Sequence, residues 1–220
     1  MLRVAVLDVG LGNLRSVERA LERAAADAGR SVAVSFARAP DDLTPADAIV
    51  FPGQGAFRDA AKALAAGLGE ALRARIAAGT PYLGICLGLQ ALFDSSEEAP
   101  DAAGLGVFRG RVVRIPDGGR DPATGALAKV PHIGWNQLEM VTTGAGPLAA
   151  FDDAPPFVYF VHSYQALPED PSLVAATVTH GPHVITAAVA RENVTGVQFH
   201  PEKSQAAGLL LLERFLRDPG

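Results

Sequence analysis

The sequence holds one cysteine, Cys86, one tryptophan, Trp135, and two methionines among 220 residues. A single cysteine cannot close an internal disulfide, so an oxidising compartment is not needed and a reducing cytoplasm is the expected location. Aromatic residues make up 6% of the chain against 49% hydrophobic, which points to an interior rich in alanine and leucine. Basic residues are the minority, 19 against 24 acidic for a net charge of −5, and they form no cluster, so nucleic acid is not an expected partner. No apolar run approaches the roughly 18 residues needed to span a bilayer, so no membrane is expected either. Arg3 and Asp8 bracket the first apolar stretch, which reads as a strand and not as a signal peptide. There is no internal repeat, no low-complexity linker and no composition break, and one domain over residues 1–220 is expected. His180 and His183 flank Gly181-Pro182 in an expected exposed turn; without a carboxylate or thiol cluster beside them, neither a metal site nor a cofactor is expected.

What is present is an α/β pattern. Arg3 to Leu7 reads as a buried strand, and Leu14, Val17, Leu21, Ala24 and Ala28 follow at helical spacing. Gly10-x-Gly12 precedes that helix, but Arg15 stands where a dinucleotide fingerprint needs a third glycine, so the stretch is a turning loop. Strands are expected over Val32 to Phe36 and Ala48 to Phe51, then one helix from Arg58 to about Ala78. The second half changes character. Leu105 to Ile115, Gln137 to Val141, Phe157 to Val161, Leu173 to Val178, Val184 to Ala190 and Val194 to Phe199 read as strands with short turns between them. The expectation is a mostly parallel central sheet followed by a β-rich part with antiparallel pairs, closed by a helix from Gly208 to Leu216 capped by Ser204.

The chemistry gathers around Thr80-Pro81-Tyr82-Leu83-Gly84-Ile85-Cys86-Leu87-Gly88-Leu89-Gln90. A buried strand runs into Gly84-x-Cys86-x-Gly88 and then a helical pattern, the form of a nucleophile elbow with cysteine in place of serine. Such a turn forces its central residue into a strained conformation, and its neighbours two residues away must lack side chains to fit. It also leaves Cys86 at a helix amino end, where the dipole and free N–H groups favour a thiolate. Pro52-Gly53-Gln54-Gly55-Ala56-Phe57 closes the preceding strand at the end of an open sheet where ligands bind. A thiol nucleophile needs a base, and the base needs an orienting group. His200 follows the apolar strand Gly196-Val197-Gln198-Phe199, and Glu202 two residues on points the same way if the segment is extended.

Gly84 to Gln90 together with Val197-Gln198-Phe199-His200-Pro201-Glu202 resembles the class I, triad-type glutamine amidotransferases. Within that family, Pro52 to Phe57, Pro131-His132-Ile133-Gly134-Trp135-Asn136, Tyr159-Phe160-Val161-His162-Ser163-Tyr164 and Glu202-Lys203-Ser204 are similar to the glutaminase subunits of imidazole glycerol phosphate synthases, of histidine biosynthesis. The match covers nearly the whole chain, and Pro131 to Asn136 is its most specific piece. Asp117 to Lys129 departs from the pattern; it looks longer than the usual connection and is expected to be an exposed insertion without a catalytic part.

The resemblance implies a three-layer, flavodoxin-like fold and a set of roles. Cys86 attacks the side-chain amide of L-glutamine, His200 carries the proton to departing ammonia, and Glu202 orients His200. The oxyanion is held by the N–H of Leu87 and one from Gly53, Gln54 or Gly55. Gln90, Glu98, Ser163 and Tyr164 grip the backbone groups of glutamine, with Glu98 suited by charge to the α-ammonium. A cyclase subunit, a (βα)₈ barrel, is the implied partner, met through Asn13, Pro131, His132, Trp135, Tyr159 and Lys203 as interface and gating residues. The same chemistry could serve another synthase, such as that of pyridoxal phosphate, or a free-standing cysteine hydrolase; Pro131 to Asn136 argues against both. A non-catalytic flavodoxin-like binding module would lack Cys86, His200 or Glu202, and all three are present.

Overall fold

The computed structural model describes residues 1–10, 12–120, 125 and 127–217. Strand β1 (Leu2–Leu7) sets the frame. Its Val4 and Val6 belong to one core and its Ala5 and Leu7 to another, so both faces of the sheet are covered and the strand is an unbroken apolar run. Strands β2 (Val32–Ala37) and β3 (Ala48–Gly53) pair with it in parallel on either side, and β4 (Tyr82–Cys86) pairs in parallel with β3. Helix α1 (Leu14–Asp27) begins where the Asn13 side chain accepts the Ser16 N–H, and it lays Val17, Leu21, Ala24 and Ala25 on the face that holds Val4 and Val6.

The opposite face is covered by α2 (Phe57–Ala63), α3 (Gly69–Ala77) and α4 (Leu87–Gln90). The single helix expected over 58–78 is in fact two, broken by a π turn over Leu64–Leu68, in which Gly67 adopts φ 103°. A left-handed residue inside a helix is cheap only for glycine, and helical periodicity continues on both sides of the break, which hides it from the pattern. The helix after the elbow is a single turn, and Ser95–Ser96 beyond it forms the short strand β5.

The second half supplies β6 (Gly110–Arg114), β7 (His132–Gln137), β8 (Glu139–Met140), β9 (Phe157–His162), β10 (Tyr164–Pro168), β11 (Val174–His180), β12 (His183–Arg191), β13 (Val194–Val197) and α5 (Gln205–Arg217). The main sheet runs β2-β1-β3-β4-β13-β12-β11-β8. Its first five strands are parallel, because β13 adds beside β4 in that sense, and β12, β11 and β8 complete it antiparallel. A mostly parallel sheet with an antiparallel extension is thus the observed architecture, with α1 and α5 in the layer on one side. Two small sheets, β10-β6-β5 and β7-β9, stand apart from it.

Three expectations need correction here. The strand expected over Leu105 to Ile115 is regular only over Gly110–Arg114, since Leu105 and Phe108 instead pack in the core below Phe93. The strand expected over Gln137 to Val141 is the short β8, and β7 and β10 are further strands that the pattern does not announce. The Ser204 hydroxyl does not cap α5; it donates to the His200 carbonyl and accepts the Tyr159 N–H. The insertion expected over Asp117 to Lys129 is largely exposed where it is described, although Ala128 is buried; residues 121–124 and 126 lie outside the described residues.

Candidate active site

Cys86 ends β4 and precedes α4 with φ 54° and ψ −99°, a left-handed conformation that costs a residue with a side chain on the order of 1–3 kcal/mol. The glycine spacing has the steric cause expected of an elbow. A Cβ on Gly84 would lie 2.5 Å from the Gly88 carbonyl oxygen, and one on Gly88 would lie 1.8 Å from the Phe51 carbonyl oxygen. Tyr82, fully buried, donates its hydroxyl to the same Gly88 carbonyl at 2.7 Å, and burial pushes its pKa well up, which keeps it a donor. Strand register then brings the other parts in. Gly53 pairs with Cys86 across β3 and β4, so the Gly53–Gly55 loop lies beside the sulfur. Leu87 is the first residue of α4, and its N–H has no acceptor within the helix.

His200 stands just past β13, the strand on the other side of β4. Its Nδ1 lies 2.9 Å from Glu202 Oε1, with both side chains nearly fully buried. The segment is not extended as expected: Pro201–Lys203 is a 3₁₀ turn, which curls the carboxylate back onto the ring. Nε2 is buried and makes no hydrogen bond of ordinary geometry. Burial opposes the charged ring, but the Cys86 sulfur beside it and the Glu202 carboxylate outweigh that, and the His200 pKa is pushed up to about 9. Catalytic pairs are often loose before substrate tightens them. Gln54, in the loop, brings its Nε2 to 3.5 Å from His200 Nδ1, a contact and not a hydrogen bond, since Nδ1 already donates to Glu202.

A cavity of about 310 Å³ opens in front of the sulfur, lined by Gln54, Gly55, Leu87, Gln90, Glu98, Ser163 and Tyr164 among others. All four residues expected to bind substrate therefore meet in one place. Glu98 is also engaged locally, since its Oε2 accepts the Phe57 N–H at the start of α2. Three larger hollows, about 390, 570 and 350 Å³, hold neither a cysteine nor a histidine.

The family model for "Glutamine amidotransferase class-I" matches residues 6–218. The chain belongs to the class-I glutamine amidotransferases. It is 49% identical over 217 residues to an imidazole glycerol phosphate synthase subunit HisH of Methylococcus capsulatus, covering 99% of this chain and 97% of that one. It is 46% identical to the protein of the same description from Nostoc punctiforme, covering 97% and 94%. A solved structure described as a glutamine amidotransferase superposes with a TM-score of 0.69 at 22% identity, covering 97% of this chain and 96% of that one, which shows the shared fold.

Among the partner-facing residues expected of this amidotransferase, Trp135, Tyr159 and Lys203 come together. The Trp135 and Tyr159 rings meet edge-on at 6.0 Å, and the Lys203 ammonium lies 5.9 Å from the Tyr159 ring centre. Pro131 is exposed at the cavity rim and Asn13 is exposed at the start of α1. His132, also expected there, is buried in this chain. Its ring packs against Phe160 at 4.8 Å and against His180 at 4.2 Å, and its Nδ1 lies 3.1 Å from His162 Nε2. His180, expected in an exposed turn, is thus half-buried in a cluster with His132 and His162.

Burial pushes the His132 pKa down to about 3, helped by His162 and His180, and burial pushes that of His162 down to about 4 against the Tyr164 carbonyl that accepts from it. Below pH 6.5 the unfolded chain binds protons that these rings refuse, so stability falls from pH 6.5 towards 4. His200 acts in the other direction: its contribution is complete below 6.5 and is lost as pH rises through about 9. The thermal midpoint should therefore peak near pH 6.5. A midpoint that stays level from there to acid pH, followed by differential scanning calorimetry, contradicts a buried, neutral His132 and His162.

Proposed function

We propose that this amidotransferase is the glutaminase subunit of an imidazole glycerol phosphate synthase. It hydrolyses L-glutamine to L-glutamate and ammonia through a cysteine thioester, and a cyclase subunit consumes the ammonia in forming imidazole glycerol phosphate and the carboxamide nucleotide. The carrying observation is the buried His200–Glu202 pair placed beside Cys86 at the mouth of the cavity. The Cys86 sulfur attacks the carboxamide carbon, and the oxyanion that forms is held by the Leu87 N–H and one N–H of the Gly53–Gly55 loop. His200 gives its proton to the departing nitrogen. Water then attacks the thioester with His200 as base, and the sulfur leaves again as thiolate. Glu98 receives the α-ammonium; Gln90, Ser163 and Tyr164 hold the rest of the substrate backbone.

Ammonia is a nucleophile only when unprotonated, and water at neutral pH protonates most of it, so delivery requires a dry path into the partner. The β7–β9 sheet offers the docking face. Ile133, Trp135 and Phe157 are 59%, 46% and 57% exposed on one side of it, an unusual concentration of large apolar groups beside an aromatic pair. This face is bonded directly to the triad. The His200 N–H donates to the Tyr159 carbonyl at 3.0 Å, the Tyr159 N–H donates to Ser204 Oγ at 3.0 Å, and that hydroxyl donates to the His200 carbonyl at 2.7 Å. Movement of β9 under a docked barrel reaches His200 through three hydrogen bonds.

Two measurements test this reading. Trp135→Ala is expected to weaken barrel binding by about 2 kcal/mol, roughly 30-fold, as for a central aromatic anchor; unchanged affinity in a calorimetric titration moves the interface elsewhere. Ammonia release from glutamine should be slow for the isolated chain and rise when the barrel subunit and its nucleotide are added. Full-speed hydrolysis by the isolated chain overturns the coupling, and no hydrolysis with the complete complex overturns the assignment.

A further inference from the structure

We propose that Gln198 is a further catalytic residue, a fixed hydrogen-bond donor that holds the Cys86 sulfur as a thiolate and receives it as the leaving group. The inference rests on Cys86 being the nucleophile of the proposed hydrolysis. Gln198 is 0% exposed, and its Nε2 lies 3.4 Å from Cys86 Sγ. Register puts it there: β13 pairs Val197 with Ile85, so the next residue on each strand brings Gln198 to Cys86. Burying a primary amide in an apolar core is costly unless its groups are bonded, and this one spends its nitrogen on a sulfur. A neutral thiol is a poor acceptor. A thiolate is a charged one, and an N–H donated to it is of the stronger, charge-assisted kind.

The orientation of the amide follows from a group that cannot be reversed. Gln90 Nε2 lies 3.3 Å from the Tyr164 carbonyl oxygen, which can only accept, so the Gln90 nitrogen faces it. The same nitrogen lies 3.2 Å from Gln198 Oε1 and supplies its second proton there. With its oxygen engaged by Gln90, Gln198 must present N–H to the sulfur. One backbone carbonyl therefore sets the polarity of two side chains in series. His200 also lies beside the sulfur, so an imidazole and an amide flank it. The two do different work. The imidazole must give up a proton to the leaving nitrogen and later take one from water, whereas the amide keeps its proton throughout. When water adds to the thioester and the C–S bond breaks, the electron pair returns to a sulfur that still has the Gln198 N–H in place.

Cys86 is the one cysteine in the chain, so alkylation by iodoacetamide reports on its sulfur alone. Gln198→Met keeps the length and removes the donor. The midpoint of its alkylation rate against pH should rise by about one unit, a tenfold smaller thiolate fraction, and kcat/KM for glutamine in the barrel complex should fall roughly 10- to 100-fold. Gln198→Glu, with a carboxylate facing the sulfur, should raise the midpoint further. A folded Gln198→Met protein with a wild-type midpoint overturns the proposal, because a purely structural amide would alter melting and not the protonation of the sulfur. If Gln198→Met does not fold, Gln90→Met carries the test: it leaves Gln198 in place and frees its orientation, and an unchanged midpoint there also overturns the proposal. The two readings fail separately, since a shifted midpoint in a protein that releases no ammonia from glutamine sinks the proposed function and leaves the sulfur–amide contact standing.

Discussion

Cys86→Ala is expected to lower ammonia release from glutamine by roughly 10⁵-fold or more, the scale on which loss of a triad nucleophile is felt. Cys86→Gly should be equally inactive yet more stable than Cys86→Ala. The reason is backbone strain at the elbow. At φ 54° and ψ −99° any Cβ is in a poorly populated region, at a cost on the order of 1–3 kcal/mol. Alanine keeps that strain and glycine relieves it, while the extra unfolded-state freedom of glycine offsets only about 0.5–1 kcal/mol. The net difference favours glycine by about 1 kcal/mol. Urea unfolding of the two inactive variants side by side measures it; a glycine variant less stable than the alanine one would mean the elbow stores no strain. The site would then present its sulfur for some other reason than a turn held sharp by the surrounding core.

Gly88→Ala should produce a large loss of stability, about 4 kcal/mol or more. The added carbon would sit 1.8 Å from the Phe51 carbonyl oxygen and 2.9 Å from its carbon, and both are backbone atoms of a central strand that cannot step aside. Relief requires α4 to move away from β3. That movement carries the Leu87 N–H with it, so any protein that still folds should also lose roughly 10²–10³ in rate, as when one oxyanion donor is removed. Gly84→Ala, whose closest contact is the Gly88 oxygen at 2.5 Å, should be damaged in the same way. A Gly88→Ala protein that melts with the wild type, followed by circular dichroism, would show that the strand–helix contact is looser than described.

The parts of the site that could be read from residue order are those whose chemistry is local. Gly84-x-Cys86-x-Gly88 declares a tight turn because only a turn needs two bare neighbours around a side chain, and the clashes at Gly84 and Gly88 are that requirement in distances. His200 and Glu202 are close in the chain, so their pairing was accessible, although a 3₁₀ turn and not an extended segment makes it. The alternation of Val4 and Val6 against Ala5 and Leu7 likewise announces a strand covered on both faces.

Other features depend on residues that meet only when strands far apart in the chain become neighbours. Gln198 sat in plain view as a polar residue in an apolar strand, but nothing local tells that β13 lies beside β4 with Gln198 next to Cys86. Ser204 has the sequence signature of a helix cap and is used instead to tie His200 to β9, because a strand brought in from 45 residues earlier offers a better-placed donor than the helix does. His132, His162 and His180 come from three strands, and their burial, which lowers two of the three pKa values, is a property of the packed core. Sequence by itself determined the elbow, the imidazole–carboxylate pair and the layered α/β order, since each follows from sterics or periodicity within a few residues. Tertiary structure alone decided which buried polar groups face the sulfur and how the outer sheet connects to the histidine, since those follow from strand register, which is settled over the whole core at once.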